Sequence, residues 1–208
     1  TLSSSSAASD VYKRQVCEPA RFLDIVENII VFQEEAQKTG EVRLIKKVAR
    51  NHQVLGVNRA IQAVQDIVAN QGRLGVFWHT QGSGKSLSMV MFAEKVHRKV
   101  PGNWTFVIIT DRTELDDQIA RTFAECGAVT EDIHAVQASS AADLRRLLRE
   151  DHHYVFTLIH KFRPEADKAM EVLSERKDII VITDEAHRSQ YDVLALNMRT
   201  ALPNAAFI

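Results

Sequence analysis

The sequence has little cysteine and no excess of charge of one sign. Its 208 residues contain two cysteines, Cys17 and Cys126, and no CxxC spacing. A cysteine zinc site or a CxxC redox pair is therefore excluded, and we expect two free thiols. The formal net charge is −1 at pH 7. Bulk charge thus does not indicate a nucleic-acid binder, although a local basic strip would be enough for one.

Long hydrophobic runs are also absent. No run reaches the ~18 apolar residues that a membrane-spanning helix needs, and the N-terminus lacks the apolar stretch of a signal peptide. We therefore expect a cytoplasmic protein without a membrane partner. Hydrophobic residues make up 45% and charged residues 25% of the chain, which is typical of a globular domain with a normal core.

The chain divides into three segments. Residues 1–15 are rich in serine and alanine and have no apolar period, so we expect a disordered or artefactual tail. Residues 16–70 are predicted to form a helical lead-in segment, with one helix from Pro19 to about Phe32 and a second over 56–70. Between these helices, 42–48 fits either a short helix or a strand.

Residues 71–208 alternate between strand and helix patterns. Short apolar strands are predicted over 75–79, 104–110, 133–137, 154–159, 179–183 and 205–208. Helices are predicted over 85–100, 113–125, 141–149, 164–175 and 191–201, with Thr113 as an N-cap. Such alternation is typical of an α/β domain with a parallel sheet and helices on both faces. We expect this domain to be truncated at its C-terminus.

A glycine-rich loop joins the first of these strands to the first helix. Gly82 and Gly84 permit backbone conformations that bring amides close to a phosphate. Lys85 is suited to reach the β- and γ-phosphates of a nucleotide, and Ser86 to bind Mg²⁺. The predicted nucleotide-binding residues are Thr80, Gln81, Gly82, Ser83, Gly84, Lys85 and Ser86. The full phosphate-loop pattern would have glycine at 79, where this chain has His79. A turn that binds nothing is the alternative.

An acidic pair, Asp184 and Glu185, follows the strand predicted over 179–183. Carboxylates at the carboxyl edge of a parallel sheet lie where open α/β folds bind ligands. Asp184 is suited to hold Mg²⁺, and Glu185 to polarise an attacking water. By itself the pair would also fit a strand-ending acidic turn.

Several stretches together resemble superfamily 2 helicase-like motors and, more narrowly, the motor (R) subunit of type I restriction enzymes. They lie at 49–53, 79–86, 110–118, 158–162 and 184–190, the last reading Asp-Glu-Ala-His-Arg-Ser-Gln. The combination is much more specific than a phosphate loop alone. The resemblance spans about 18–208.

The resemblance implies the first RecA-like P-loop NTPase domain of a motor that binds ATP and Mg²⁺. The parent would translocate double-stranded DNA before cleavage, with the specificity and modification (methyltransferase) subunits as partners. A second RecA-like domain would be missing from this chain, which alone would be weakly active or inactive. Two other hypotheses stay open: a superfamily 2 helicase or remodeller without nuclease, and a stand-alone nucleotide-binding module.

The resemblance also implies roles for individual residues. The implied catalytic residues are Lys85, Asp184, Glu185 and His187, with His187 linking nucleotide state to the rest of the motor. Gln53 falls where the family places an adenine-reading glutamine, and a helix glutamine facing solvent is the alternative. The implied DNA contacts are Arg112, Thr113 and Lys161, and each also fits a local structural role.

Overall fold

The computed structural model describes residues 17–37, 40–78, 80, 82–164, 170–184 and 191–208. Its strands are β1 Ile30–Ala36, β2 Val42–Val48, β3 Thr105–Thr110, β4 Tyr154–Leu158, β5 Ile179–Thr183 and β6 Ala206–Phe207. Its helices are α1 Pro19–Asn28, α2 Asn51–Gln65, α3 Lys85–Lys99, α4 Thr113–Glu125, α5 Ile133–Val136, α6 Ala141–Leu147 and α7 Tyr191–Ala201, with a 3-10 turn Ile159–Phe162.

The central sheet is parallel and has the strand order β4-β3-β5-β6. All residues of β3 and β4 are buried, as expected for strands covered by helices on both faces. Beyond β6, the Leu74 amide donates to the Phe207 carbonyl at 2.9 Å, so the chain leading into the glycine-rich loop lies beside the sheet. This arrangement confirms the predicted RecA-like α/β class.

Two apolar clusters cover the two faces of the sheet. Alternate residues of β3 point to opposite sides, so Phe106 and Ile108 belong to one cluster and Val107 and Ile109 to the other. The first cluster receives apolar side chains from α2, α3 and α4, and the second from α6 and α7. Because the four strands of this sheet are parallel, their carboxyl ends meet at one edge, which is left for the site.

The lead-in segment differs from the prediction in its first helix, and the element over 42–48, predicted as either helix or strand, is a strand. Helix α1 ends at Asn28, and β1 and β2 then form an antiparallel hairpin in which Ile30 pairs with Val48. The prediction of helix up to Phe32 was wrong because the run from Ile29 to Phe32 is mainly β-branched and aromatic, which favours a strand. Gly40, at φ +83°, lies in the connection between the two strands.

Four other predicted elements need correction. The described residues of the strand predicted over 75–79 form no strand, and 133–136 form a helix instead of a strand. In the part of 164–175 that the structure describes there is no helix; its Leu173 amide donates to the Ala201 carbonyl. Helix α2 begins at Asn51, before the predicted start at 56, because the Gln53 side chain caps the first turn.

Helix α4 has the predicted bounds, but its N-cap is Arg112 and its first residue is Thr113. No side-chain hydrogen bond caps this helix.

Candidate functional site

The glycine-rich loop runs from the edge of the sheet beside β6 to the start of α3. Gly82 and Gly84 have φ values of +75° and +88°, a backbone conformation that residues other than glycine rarely adopt. The Ser83 amide and hydroxyl both donate to the Thr80 carbonyl, at 3.2 and 2.6 Å. These bonds close the loop into a tight turn ahead of the helix.

Helix α3 begins at Lys85, with Gly84 as its N-cap. Its first amides have no partner within the helix, and the helix dipole adds partial positive charge there, so this end favours anions. Ser86 lies in the first turn and is half-buried. These features fit a phosphate-binding loop, and phosphate binding at this loop stays a prediction.

Lys85 and Asp184 are brought together although they are distant in the chain. Lys85 Nζ lies 2.9 Å from Asp184 Oδ1, and the lysine side chain is 38% exposed while that of the aspartate is 6% exposed. The Asp184 amide donates to the Ile109 carbonyl at 2.9 Å, which holds the residue at the carboxyl end of β5. The phosphate loop and the acidic strand end therefore form one site.

Gln53 is buried against the same loop. Its Nε2 donates to the Gly84 carbonyl at 3.1 Å and to Ser88 Oγ at 3.0 Å. Its Oε1 accepts from the Arg50 amide at 2.8 Å, which caps α2. In this conformation the amide faces the phosphate loop and not solvent, and adenine reading by Gln53 stays a prediction.

The three predicted DNA contacts lie at the same sheet edge in different environments. Arg112 is exposed, with Nε 3.7 Å from Asp111 Oδ2, and Thr113 is exposed at the start of α4. Lys161 is half-buried, and its Nζ donates to the Ala138 carbonyl. Burial lowers the pKa of Lys161 from its ordinary value. The structure thus directs Lys161 inward, and its contact with DNA stays a prediction.

Behind this edge lies a buried carboxylate that sequence reasoning missed. Asp116 accepts from Gln137 Nε2 at 2.6 Å and from Thr110 Oγ1 at 3.3 Å. Burial raises the pKa of Asp116, with Gln137 opposing that shift. Nothing local in the sequence indicates this cluster, because Asp116 follows a helix start where acidic residues are ordinary. Ser88 was also missed; its only signal is its position four residues after Gly84, on the same side of α3.

Three predicted site residues, Gln81, Glu185 and His187, lie outside the described residues, as does His79. Among the residues that are described, no group of three or more His, Cys, Asp or Glu side chains is placed to hold a metal ion. A hard cation at a nucleotide site draws most of its ligands from phosphate and water and needs one or two protein oxygens. The Ser86 hydroxyl and the Asp184 carboxylate fit that donor set.

Within the described ranges, no helix is long and apolar enough to cross a membrane.

Comparison with known proteins gives two results. A family model described as SWI2/SNF2 ATPase matches residues 52–208. The type I restriction enzyme HindI endonuclease subunit of Haemophilus influenzae is 37% identical over 209 residues, covering 92% of this chain and 19% of that protein. A Methanocaldococcus jannaschii protein, provisionally named as the type I restriction enzyme MjaIXP endonuclease subunit, is 34% identical over 78% of this chain and 16% of its own length. The chain thus spans about a fifth or less of these two curated relatives.

Proposed function

Because the chain belongs to the SWI2/SNF2 ATPase family, we propose that it is the first RecA-like ATPase domain of a type I restriction endonuclease subunit. The parent protein would hydrolyse ATP to translocate double-stranded DNA before cleavage. The contact between Lys85 and Asp184 at the sheet edge carries the ATPase part of this proposal. The printed names of the relatives support the restriction part.

Lys85 and Asp184 have separable tasks in the proposed reaction. The ammonium group moves from the carboxylate to the β- and γ-phosphates of ATP, where the loop amides and the start of α3 also bind. The freed carboxylate and the Ser86 hydroxyl would hold Mg²⁺, which neutralises phosphate charge when bound. Glu185 is proposed to orient and polarise the attacking water, and His187 to relay the state of the site.

DNA and partner proteins belong to the proposal as well. Arg112 and Thr113 are exposed where α4 meets the sheet edge, so they are suited to contact DNA phosphates. Lys161 would have to leave the Ala138 carbonyl to join them. Specificity and methyltransferase subunits would complete the assembly, and the cytoplasm would supply both ATP and DNA.

The test uses the parent protein assembled with its partner subunits. Glu185→Gln should retain ATP binding and lower the hydrolysis rate about 10²-fold or more, as loss of a general base does. Lys85→Ala should lose nucleotide binding, translocation and cleavage together. Lys99→Ala is the matched control. Lys99 lies at the opposite end of the same helix, where it forms an ion pair with Glu27. Unchanged hydrolysis in Glu185→Gln would contradict the proposed mechanism.

A motor without nuclease is the second candidate, because the family model itself describes only an ATPase. The same preparation distinguishes the two. ATP-dependent movement on DNA with cleavage supports the restriction subunit, whereas movement without cleavage supports a helicase or remodeller.

A further inference from the structure

The side-chain amide of Gln53 is fully engaged inside the protein. Its two N–H groups have two acceptors, the Gly84 carbonyl oxygen and Ser88 Oγ, at 3.1 and 3.0 Å. Its carbonyl oxygen accepts from the Arg50 amide, and the residue is 4% exposed. An amide has two donors and a carbonyl acceptor, so Gln53 joins the start of α2 to the end of the phosphate loop.

The Gly84 carbonyl is the point where these bonds meet. It accepts from the Ser88 amide at 3.1 Å, from Ser88 Oγ at 3.2 Å and from Gln53 Nε2 at 3.1 Å. A Cβ added to Gly84 would lie 3.0 Å from Gln53 Nε2, and the residue has φ +88°. The glutamine therefore packs directly onto the loop backbone.

Fixing this carbonyl also fixes the amide of the next residue. The peptide between Gly84 and Lys85 is planar and trans, so its C=O and N–H groups point in opposite directions. With the carbonyl held by Gln53 and Ser88, the Lys85 N–H points in the opposite direction within that plane, away from both side chains. Amides at the start of a helix are the groups that bind a phosphate.

We propose that Gln53 and Ser88 are positioning residues that hold the Gly84–Lys85 peptide in the orientation that binds phosphate. This inference rests on the proposed nucleotide site and specifies how that site is kept in order. Its effect is independent of the base, because the bonds act on the loop backbone. A glutamine that reads adenine would instead act only on nucleotides that carry adenine.

Tripolyphosphate, which has phosphates but no base, separates these two roles. Affinities of the 208-residue chain for Mg-ATP and for Mg-tripolyphosphate are measured by titration calorimetry at a temperature well below unfolding. The variants are Gln53→Met, which keeps a similar volume but removes the hydrogen-bonding amide, and Ser88→Ala, which removes one hydroxyl. Gln62→Ala is the matched control, since Gln62 lies on the same helix and its exposed side chain donates to Asp66.

We expect Gln53→Met to lower the affinities for both ligands by the same factor, about tenfold, as loss of one or two hydrogen bonds would. Ser88→Ala should weaken both by a smaller and again equal factor. Gln62→Ala should leave both unchanged. A purely structural role would lower the melting temperature without changing affinity in the folded protein.

Two results would overturn the inference. Gln53→Met could weaken ATP alone and leave tripolyphosphate unchanged, which would assign Gln53 to the base, or both variants could retain wild-type affinities. Other results would contradict the proposed function itself. In that case the wild-type chain would bind neither ligand, or Lys85→Ala would bind both ligands with wild-type affinity.

Discussion

At the scale of single residues, Lys85 and Asp184 hold the site together by an ion pair that is easily exchanged. Lys85 is more than a third exposed whereas the Asp184 side chain is buried, so the pair lies between an exposed pair, worth roughly 1 kcal/mol or less, and a buried pair, whose disruption costs about 3–5 kcal/mol. A ligand bound at micromolar affinity contributes about 8 kcal/mol. Phosphate oxygens can therefore compete with the carboxylate for the lysine, so the pair does not lock the site closed.

This competition gives a prediction for Asp184→Asn. The substitution removes a negative charge that competes with phosphate for Lys85, so binding of tripolyphosphate in the presence of EDTA should become a few-fold tighter. With Mg²⁺ present the same variant should bind more weakly than wild type, because a ligand for the cation is lost. Titration with and without Mg²⁺ measures both effects. Equal changes in the two conditions would contradict the shared role of Asp184.

The pairing of Lys85 with Asp184 is also the part of the site that the sequence predicts best. Each residue is tied to a local pattern, a glycine-rich loop before a helix and an acidic pair after a β-branched strand, and parallel strands bring their carboxyl ends to one edge. The partners of Gln53 could not be predicted, because they depend on how α2 packs against α3. No local pattern encodes that packing.

At the scale of elements, a buried cation joins α1 and α2 to the phosphate-loop helix α3. Lys95 has a side chain that is 7% exposed, and its Nζ donates to Asp24 of α1 and to Asn58 of α2. Asp24 also accepts from Asn28 Nδ2 at 2.9 Å. A buried charge is tolerated only with such partners. The lead-in segment is thus packed onto the ATPase fold as one unit.

Asp24→Ala should therefore destabilise the chain by about 2–3 kcal/mol, which is at or just below the cost of about 3–5 kcal/mol for leaving a buried charge without its partner, since Asp24 is partly exposed. The double variant Asp24→Ala/Lys95→Met should regain much of that loss, because no unpaired ammonium is left. Urea unfolding of wild type and of both variants gives these free energies. A double variant no more stable than Asp24→Ala would show that the lysine charge is not the cause.

Element types were predicted well where one pattern, either an apolar helical period or a β-branched run, extended through a whole segment. Helix α4 and strand β5 have the predicted bounds, and α7 does as well. The hairpin was missed because α1 passes into β1 within two residues, and the apolar residues of both merge into one apparent helical period. Single-turn α5 was taken for a strand because its four residues are too few to show any period.

At the scale of the whole molecule, we propose that the chain forms one side of a nucleotide site. Stabilising arginines in related NTPases are worth about 10³- to 10⁵-fold in rate, and the resemblance assigns them to a second RecA-like domain. We therefore predict that the 208-residue chain binds Mg-ATP but hydrolyses it slowly, with no stimulation by double-stranded DNA. A phosphate-release assay with and without DNA measures this. Rapid, DNA-stimulated turnover by the chain alone would contradict the division of labour.

The most direct test of the central claim is the affinity of this chain for Mg-ATP when Lys85 is replaced. We expect wild type and Lys99→Ala to bind Mg-ATP equally, and Lys85→Ala to lose at least tenfold in affinity, equivalent to about 1.4 kcal/mol, while remaining folded by circular dichroism. Equal affinities in all three proteins would show that the loop ending at Lys85 does not bind nucleotide phosphates, and the account of the site would be wrong.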